Sequence, residues 1–202
     1  AHLNVDECGA PENVAGCKVE AVPVSEPDGK LRTSDLEPCL HSLGFEHHSQ
    51  PKLVSITQCT ELGTVYNLEE IRQLAQFAHD NHMYLHMDGA RIANAVAALG
   101  LSPEDGLSAM TRDAGVDVLS FGGTKNGMAF GEAVVFLNGE LGRDFKYIRK
   151  QGMQLASKMR FISTQFSALL KDGLWYDNAA HANAMAALLA DTVQGLGVEL
   201  TR

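Results

Sequence analysis

Cys17, Val19 and Ala21 alternate with Lys18 and Glu20, and the run ends in the turn signal Ser25-Glu26-Pro27-Asp28-Gly29, so residues 17–24 are expected to form a strand. Thr33 and Ser34 offer an N-cap to a helix that closes at Gly44, with Glu37 as capping-box partner of Ser34 and Pro38 following it. Residues 52–57 are nearly continuous in apolar character, which predicts a strand buried on both faces. Asn67 and Glu70 form a capping box for a helix over 68–81, in which Leu68, Ile71, Leu74, Ala75 and Ala78 fall on one face. A third strand over 83–87 runs into Asp88. Residues 90–99 are small and apolar and predict a buried helix capped by Gly100. Ser102-Pro103 starts another helix. Residues 116–120 and 132–137 predict the fourth and fifth strands, and the remainder reads as helix: 142–170, broken around Gly152, and the alanine-rich 178–195. Residues 197–202 look like the beginning of a further strand.

Strands and helices alternating at this spacing predict an α/β fold, a mostly parallel sheet with helices on both faces. An apolar fraction of 45% and a charged fraction of 20% suit a globular protein, and a net charge of −9 argues against a nucleic-acid partner. No apolar run is long enough to cross a bilayer, so neither a membrane nor a secretory destination is expected, and the expected compartment is the cytoplasm. Cys8, Cys17, Cys39 and Cys59 lack any zinc-ligand spacing and read as reduced thiols; adjacent His47 and His48 have no suitably spaced third ligand, so no metal is expected. No strand is followed by GxGxxG, which disfavours a dinucleotide binder.

The chemistry concentrates at two strand ends. His86-Met87-Asp88-Gly89-Ala90-Arg91 and Ser120-Phe121-Gly122-Gly123-Thr124-Lys125-Asn126-Gly127 each spill from an apolar strand into polar, glycine-rich chain, where open α/β sheets keep their sites. A lysine in such a loop is a candidate for amine chemistry, and a neighbouring carboxylate is its natural companion. A lysine nucleophile and a strand-end carboxylate are what pyridoxal phosphate requires. The plain alternative is that Asp88 caps the following helix and Lys125 is a solvated charge.

Those two stretches, with Thr60-Glu61-Leu62-Gly63-Thr64-Val65-Tyr66 and Leu155-Ala156-Ser157-Lys158-Met159-Arg160-Phe161, closely resemble the low-specificity threonine aldolases, of the β-eliminating lyase group of fold-type-I pyridoxal phosphate enzymes. The resemblance implies an aspartate-aminotransferase-like large domain and pyridoxal 5'-phosphate as cofactor. It implies Lys125 as the Schiff-base lysine, Asp88 as partner of the pyridine nitrogen, Arg91 near the cofactor and the substrate carboxylate, and His2 stacked on the ring. His47 lies close to where the family has a histidine near the substrate hydroxyl, with His48 competing for that place. The implied reaction is aldol cleavage of a β-hydroxy-α-amino acid, of threonine, allo-threonine or phenylserine type, to glycine and an aldehyde. His2, His47 and a bound water all stand as candidates for the base.

The family carries a phosphate-binding turn before the position of His2 and a small C-terminal domain with a second arginine, neither of which is in this sequence. The chain, opening on Ala1, thus reads as a central piece: residues 1–195 in the large cofactor-binding domain and 196–202 leading toward a further domain. The basic residues between Lys146 and Arg160 fall where family members approach a neighbouring subunit, so a homodimer or homotetramer is expected. Two other readings stand beside this one: another pyridoxal phosphate lyase of the same group that cleaves a Cβ substituent, and a non-catalytic scaffold that keeps the fold.

Overall fold

In the computed structural model, which describes residues 1–200, β1 (Leu53–Thr57), β2 (Tyr84–Gly89) and β3 (Val118–Gly122) lie parallel and β4 (Glu132–Phe136) returns antiparallel along β3, in the order β1-β2-β3-β4. The register sets Thr57 opposite Asp88, Asp88 opposite Ser120 and Gly122 opposite Glu132. The C-terminal ends of the three parallel strands therefore meet along one edge. The expected mostly parallel α/β sheet is borne out.

Alternation along the strands divides the sheet into two unlike faces. Val54, Ile56, Leu85, Met87, Leu119 and Phe121 point into the core, where they meet Ile71, Leu74 and Ala78 of α4 (Leu68–Asp80), Ile92 and Val96 of α5 (Ile92–Ala98) and Met110 of α6 (Gly106–Met110). Ser55, Thr57, His86, Asp88 and Ser120 point the other way and are half-buried. Burial of residues 52–57 on both faces is thus not what the strand has: Leu53 is 53% exposed, and Ser55 and Thr57 join a polar row. The capping box at the start of α4 is present, Glu70 N–H donating to Asn67 Oδ1 at 2.9 Å and Asn67 N–H to Glu70 Oε2 at 2.8 Å.

Several expected elements differ. Residues 17–24 form no strand, because alternation specifies a face but supplies no pairing partner, and only Val19 and Val22 there reach half-burial. The helix expected from Ser34 to Gly44 is one turn of α-helix, α3 (Thr33–Leu36), followed by a 3-10 stretch over Glu37–Ser42 that contains Pro38. Its start is held by Asp35, which accepts Arg32 N–H at 2.8 Å, and not by Glu37. The helix expected from Ser102 begins only at Gly106, residues 103–105 forming a turn in which Asp105 N–H donates to Ser102 Oγ. Two short helices near the start, α1 (His2–Val5) and α2 (Ala10–Ala15), carry no strong sequence signal.

The long helical pattern after β4 resolves into α7 (Phe145–Gln151) and α8 (Arg160–Leu169), separated by a segment in which Met153 and Lys158 adopt left-handed φ. A second left-handed pair, Asp172 and Gly173, turns the chain into α9 (Leu174–Gly195). That helix lies along α5, the two joined by Asn94 Nδ2 donating to Asn183 Oδ1 and Asn183 Nδ2 to the Asn94 carbonyl, both at 3.0 Å. Residues 197–200 form no strand, and Thr201 and Arg202, the rest of that expected element, lie outside the described residues.

Candidate active site

Asp88 is held at the end of β2 by its neighbours' backbone. Its Oδ1 accepts Ala90 N–H at 3.0 Å, and among the described residues no hydrogen bond engages Oδ2. It is not the cap of α5, whose N-cap position is taken by Arg91. The Asp88 carbonyl accepts Gln58 N–H at 2.8 Å, which ties the loop after β1 to the same strand end. Gln58 is fully buried and clamps that loop further, donating from Nε2 to the Tyr66 carbonyl at 2.9 Å and accepting Tyr66 N–H at 3.0 Å. Tyr66 in turn accepts Leu31 N–H at 2.6 Å, and burial pushes its hydroxyl up to about 12.

Two glycines let the strand ends approach. A Cβ at Gly122 would lie 2.4 Å from the Ala90 carbonyl oxygen, and one at Gly89 would lie 2.6 Å from Leu119 Cδ1 and 3.0 Å from the Ser120 carbonyl. Neither adopts a left-handed φ, so the need is for space and not for conformation.

Lys125 sits in a 3-10 turn, Thr124–Asn126, directly after β3, with its side chain exposed. The turn itself is fixed. Asn126 Nδ2 donates to the Trp175 carbonyl and Asn178 Nδ2 to the Asn126 carbonyl, each at 2.9 Å, which anchors it to α9. On the other side the Glu132 carboxylate accepts Gly123 N–H at 3.2 Å and Thr124 N–H at 3.3 Å. Arg91 is loosely paired with Glu61, Nη1 to Oε2 at 3.9 Å, with both side chains 41% exposed.

The structure thus brings Asp88, Arg91 and the Lys125 turn to one edge of the sheet. His2 and His47 are not linked to it: His2 Nδ1 bonds Glu7 Oε1 at 2.7 Å, and the His47 ring stands edge-on to Phe45 at 5.3 Å. Three participants in the local architecture were missed in the sequence. Gln58 and Glu132 act on backbone amides, which no side-chain pattern announces. His86 was legible in principle, since it precedes Asp88 by two residues on a strand and so shares its face.

A family model described as Beta-eliminating lyase matches residues 1–202. The chain belongs to the beta-eliminating lyase family. Over 201 residues it is 46% identical to the low specificity L-threonine aldolase of Pseudomonas sp. (strain NCIMB 10558) and 44% identical to that of Pseudomonas aeruginosa, covering 99% of this chain and 57% of each relative. It also superposes on a Leishmania major threonine aldolase structure with a TM-score of 0.89 and 36% identity, covering all of this chain and 57% of that one. The chain accordingly spans a little over half the length of the relatives it matches. The family resemblance expected from the two strand-end motifs is borne out.

Proposed function

We propose that the whole protein cleaves a β-hydroxy-α-amino acid to glycine and an aldehyde with pyridoxal 5'-phosphate as cofactor. The observation that carries this is the unengaged Oδ2 of Asp88 at the end of β2, with Lys125 on the turn that follows the adjacent strand. A carboxylate oxygen with no partner, an exposed amine and a weakly paired guanidinium are the donor set the ring end of that cofactor calls for, so the residues present fit it. When bound, the cofactor would supply an electron sink for the bond-breaking step.

Lys125 would hold the cofactor through its amine, and Asp88 Oδ2 would hold the proton on its ring nitrogen while Ala90 N–H keeps Oδ1 in place. Arg91 would take the substrate carboxylate in a forked pair, a better partner than Glu61 at 3.9 Å. No step is given to His2 or His47, because nothing joins either to the strand ends. Residues 1–195 would form the central part of the cofactor-binding domain. Exposed Tyr147, Ile148 and Phe161 among the basic residues of α7 and α8 support a homodimer or homotetramer. No helix among the described residues is long and apolar enough to cross a membrane, which is compatible with a cytoplasmic enzyme.

The test is product analysis on the full-length protein with threonine and allo-threonine. Glycine and acetaldehyde, abolished by Lys125→Ala, are expected. Pyruvate and ammonia in their place would establish a lyase of the Cβ-substituent type, and turnover unchanged in Lys125→Ala would refute the assignment of the lysine.

A further inference from the structure

On the polar face of the sheet, the His86 imidazole bridges three strands. Its Nδ1 is 2.8 Å from Ser55 Oγ on β1 and its Nε2 is 3.0 Å from Ser120 Oγ on β3. The two serines hold different places in the register. Ser55 lies opposite His86 itself, whereas Ser120 lies opposite Asp88, one row closer to the strand ends. The ring therefore leans diagonally from its own row toward the row of Asp88, which points to the same face two residues further along β2.

We propose that His86, locked to Ser120 through Nε2, is a positioning residue that fixes the Asp88 carboxylate for the ring nitrogen of the cofactor. The proposal rests on the reading of Asp88 as the partner of that nitrogen. Three features support it. His86 and Asp88 lie on the same face of β2 two residues apart, with the imidazole on the side of the carboxylate away from the sheet edge. With Oδ1 occupied by Ala90 N–H, only Oδ2 is left to receive a donor from above. An imidazole between two hydroxyls can sit neutral, one ring nitrogen donating and the other accepting, because each hydroxyl serves either role. Burial favours that form by lowering His86 below the ordinary imidazole range, against the pull of Asp88 in the other direction. A neutral ring is the useful state, because an imidazolium there would compete with the cofactor for the charge of Asp88.

Two amide substitutions separate the ring's two contacts. His86→Gln places its terminal amide where Nε2 was and keeps the Ser120 bond; His86→Asn places it at Nδ1 and keeps only the Ser55 bond. The affinity of the full-length protein for pyridoxal phosphate is read by absorbance titration, and thermal midpoints are measured in parallel. His86→Asn and Ser120→Ala are expected to weaken binding about tenfold, the scale of one hydrogen bond acting on a charged group, while His86→Gln and Ser55→Ala stay within about threefold. Native affinity in His86→Asn and Ser120→Ala would overturn the proposal. So would losses in all four variants that track their thermal midpoints, since that is the behaviour of a strand tie and nothing more. If the unsubstituted protein binds no pyridoxal phosphate, the reading of Asp88 fails and this proposal with it; if it binds and only the variant pattern is absent, the proposal alone fails.

Discussion

Gly122→Ala tests how tightly the ends of β2 and β3 are packed. The added Cβ would lie 2.4 Å from the Ala90 carbonyl oxygen, 2.7 Å from its Cα and 2.8 Å from its carbonyl carbon. A relaxed carbon–oxygen contact is about 3.3 Å, so the two backbones must part by about 0.9 Å, the difference between 3.3 and 2.4 Å. Every atom in the clash is main chain, and no rotamer change relieves it. Overpacking of this kind costs about 1–3 kcal/mol, and the reduced freedom of the unfolded chain returns about 0.4–1 kcal/mol. A net loss of about 1.3 kcal/mol is expected, which lowers a urea midpoint by about 0.6 M at a slope of about 2 kcal/mol/M. Gly139→Ala is the control, with no atom within 4 Å and no left-handed φ, and it should stay within about 0.5 kcal/mol of the parent. The same displacement would move the Asp88 end of β2 away from the Lys125 turn that follows β3, so turnover should fall by about a hundredfold. A Gly122→Ala protein as stable and active as Gly139→Ala would show that the strand ends do not approach as described.

Three further outcomes are expected. Asp117, buried at 6% exposure, accepts Leu85 N–H and His79 Nε2, each at 2.8 Å, and Asn138 Nδ2 at 3.2 Å; Asp117→Ala should cost about 3 kcal/mol in thermal or urea unfolding, and a loss under about 1 kcal/mol would contradict the network. Because Tyr66 titrates at about 12 in the fold against 10.0 free, the folded state keeps a proton that the unfolded chain loses between those values, so stability should be level below pH 10 and fall by about 2 kcal/mol toward pH 12; Tyr66→Phe should flatten that slope. Asp28 is held down to about 2 by its hydrogen bond from Arg32, then by Lys30 N–H, so its contribution is present above its free value of 3.8 and lost as pH falls toward 2; Asp28→Asn should remove the stability change across that window.

The elements that the sequence predicts correctly are those whose signals are local and mutually consistent. α4 has a capping box, an apolar stripe and a length suited to both, and it forms as expected. β2 and β3 alternate, end in glycine and deliver Asp88 and Lys125 to the same edge. Failures occur where a local pattern depends on something distant. Residues 17–24 alternate but find no edge to pair with, and Ser34 with Glu37 was a plausible cap until Asp35 took the Arg32 and Ser25 amides instead. The break between α7 and α8 depends on left-handed φ at Met153 and Lys158, residue types that do not advertise it. In the candidate site, side chains with evident chemistry were legible. The backbone-directed contacts of Gln58 and Glu132, and the cross-strand bridge of His86, required the strand register.

The turn bearing Lys125 belongs to a closed span. Residues 123–131 join β3 to β4, and the span is pinned where it leaves the sheet by the Gly122–Glu132 pair. It is stitched across its middle by Gly131 N–H donating to Thr124 Oγ1 at 3.0 Å and by Met128 N–H donating to the Gly123 carbonyl at 3.2 Å. Such a span does not swing as a unit. The reach of the amine is therefore set by the flexible four-carbon stem of the lysine, which reorients in picoseconds to nanoseconds when exposed. Reorientation of the free amine is then too fast to be a slow step, and any slow step must be sought in making and breaking its bonds or in other parts of the protein.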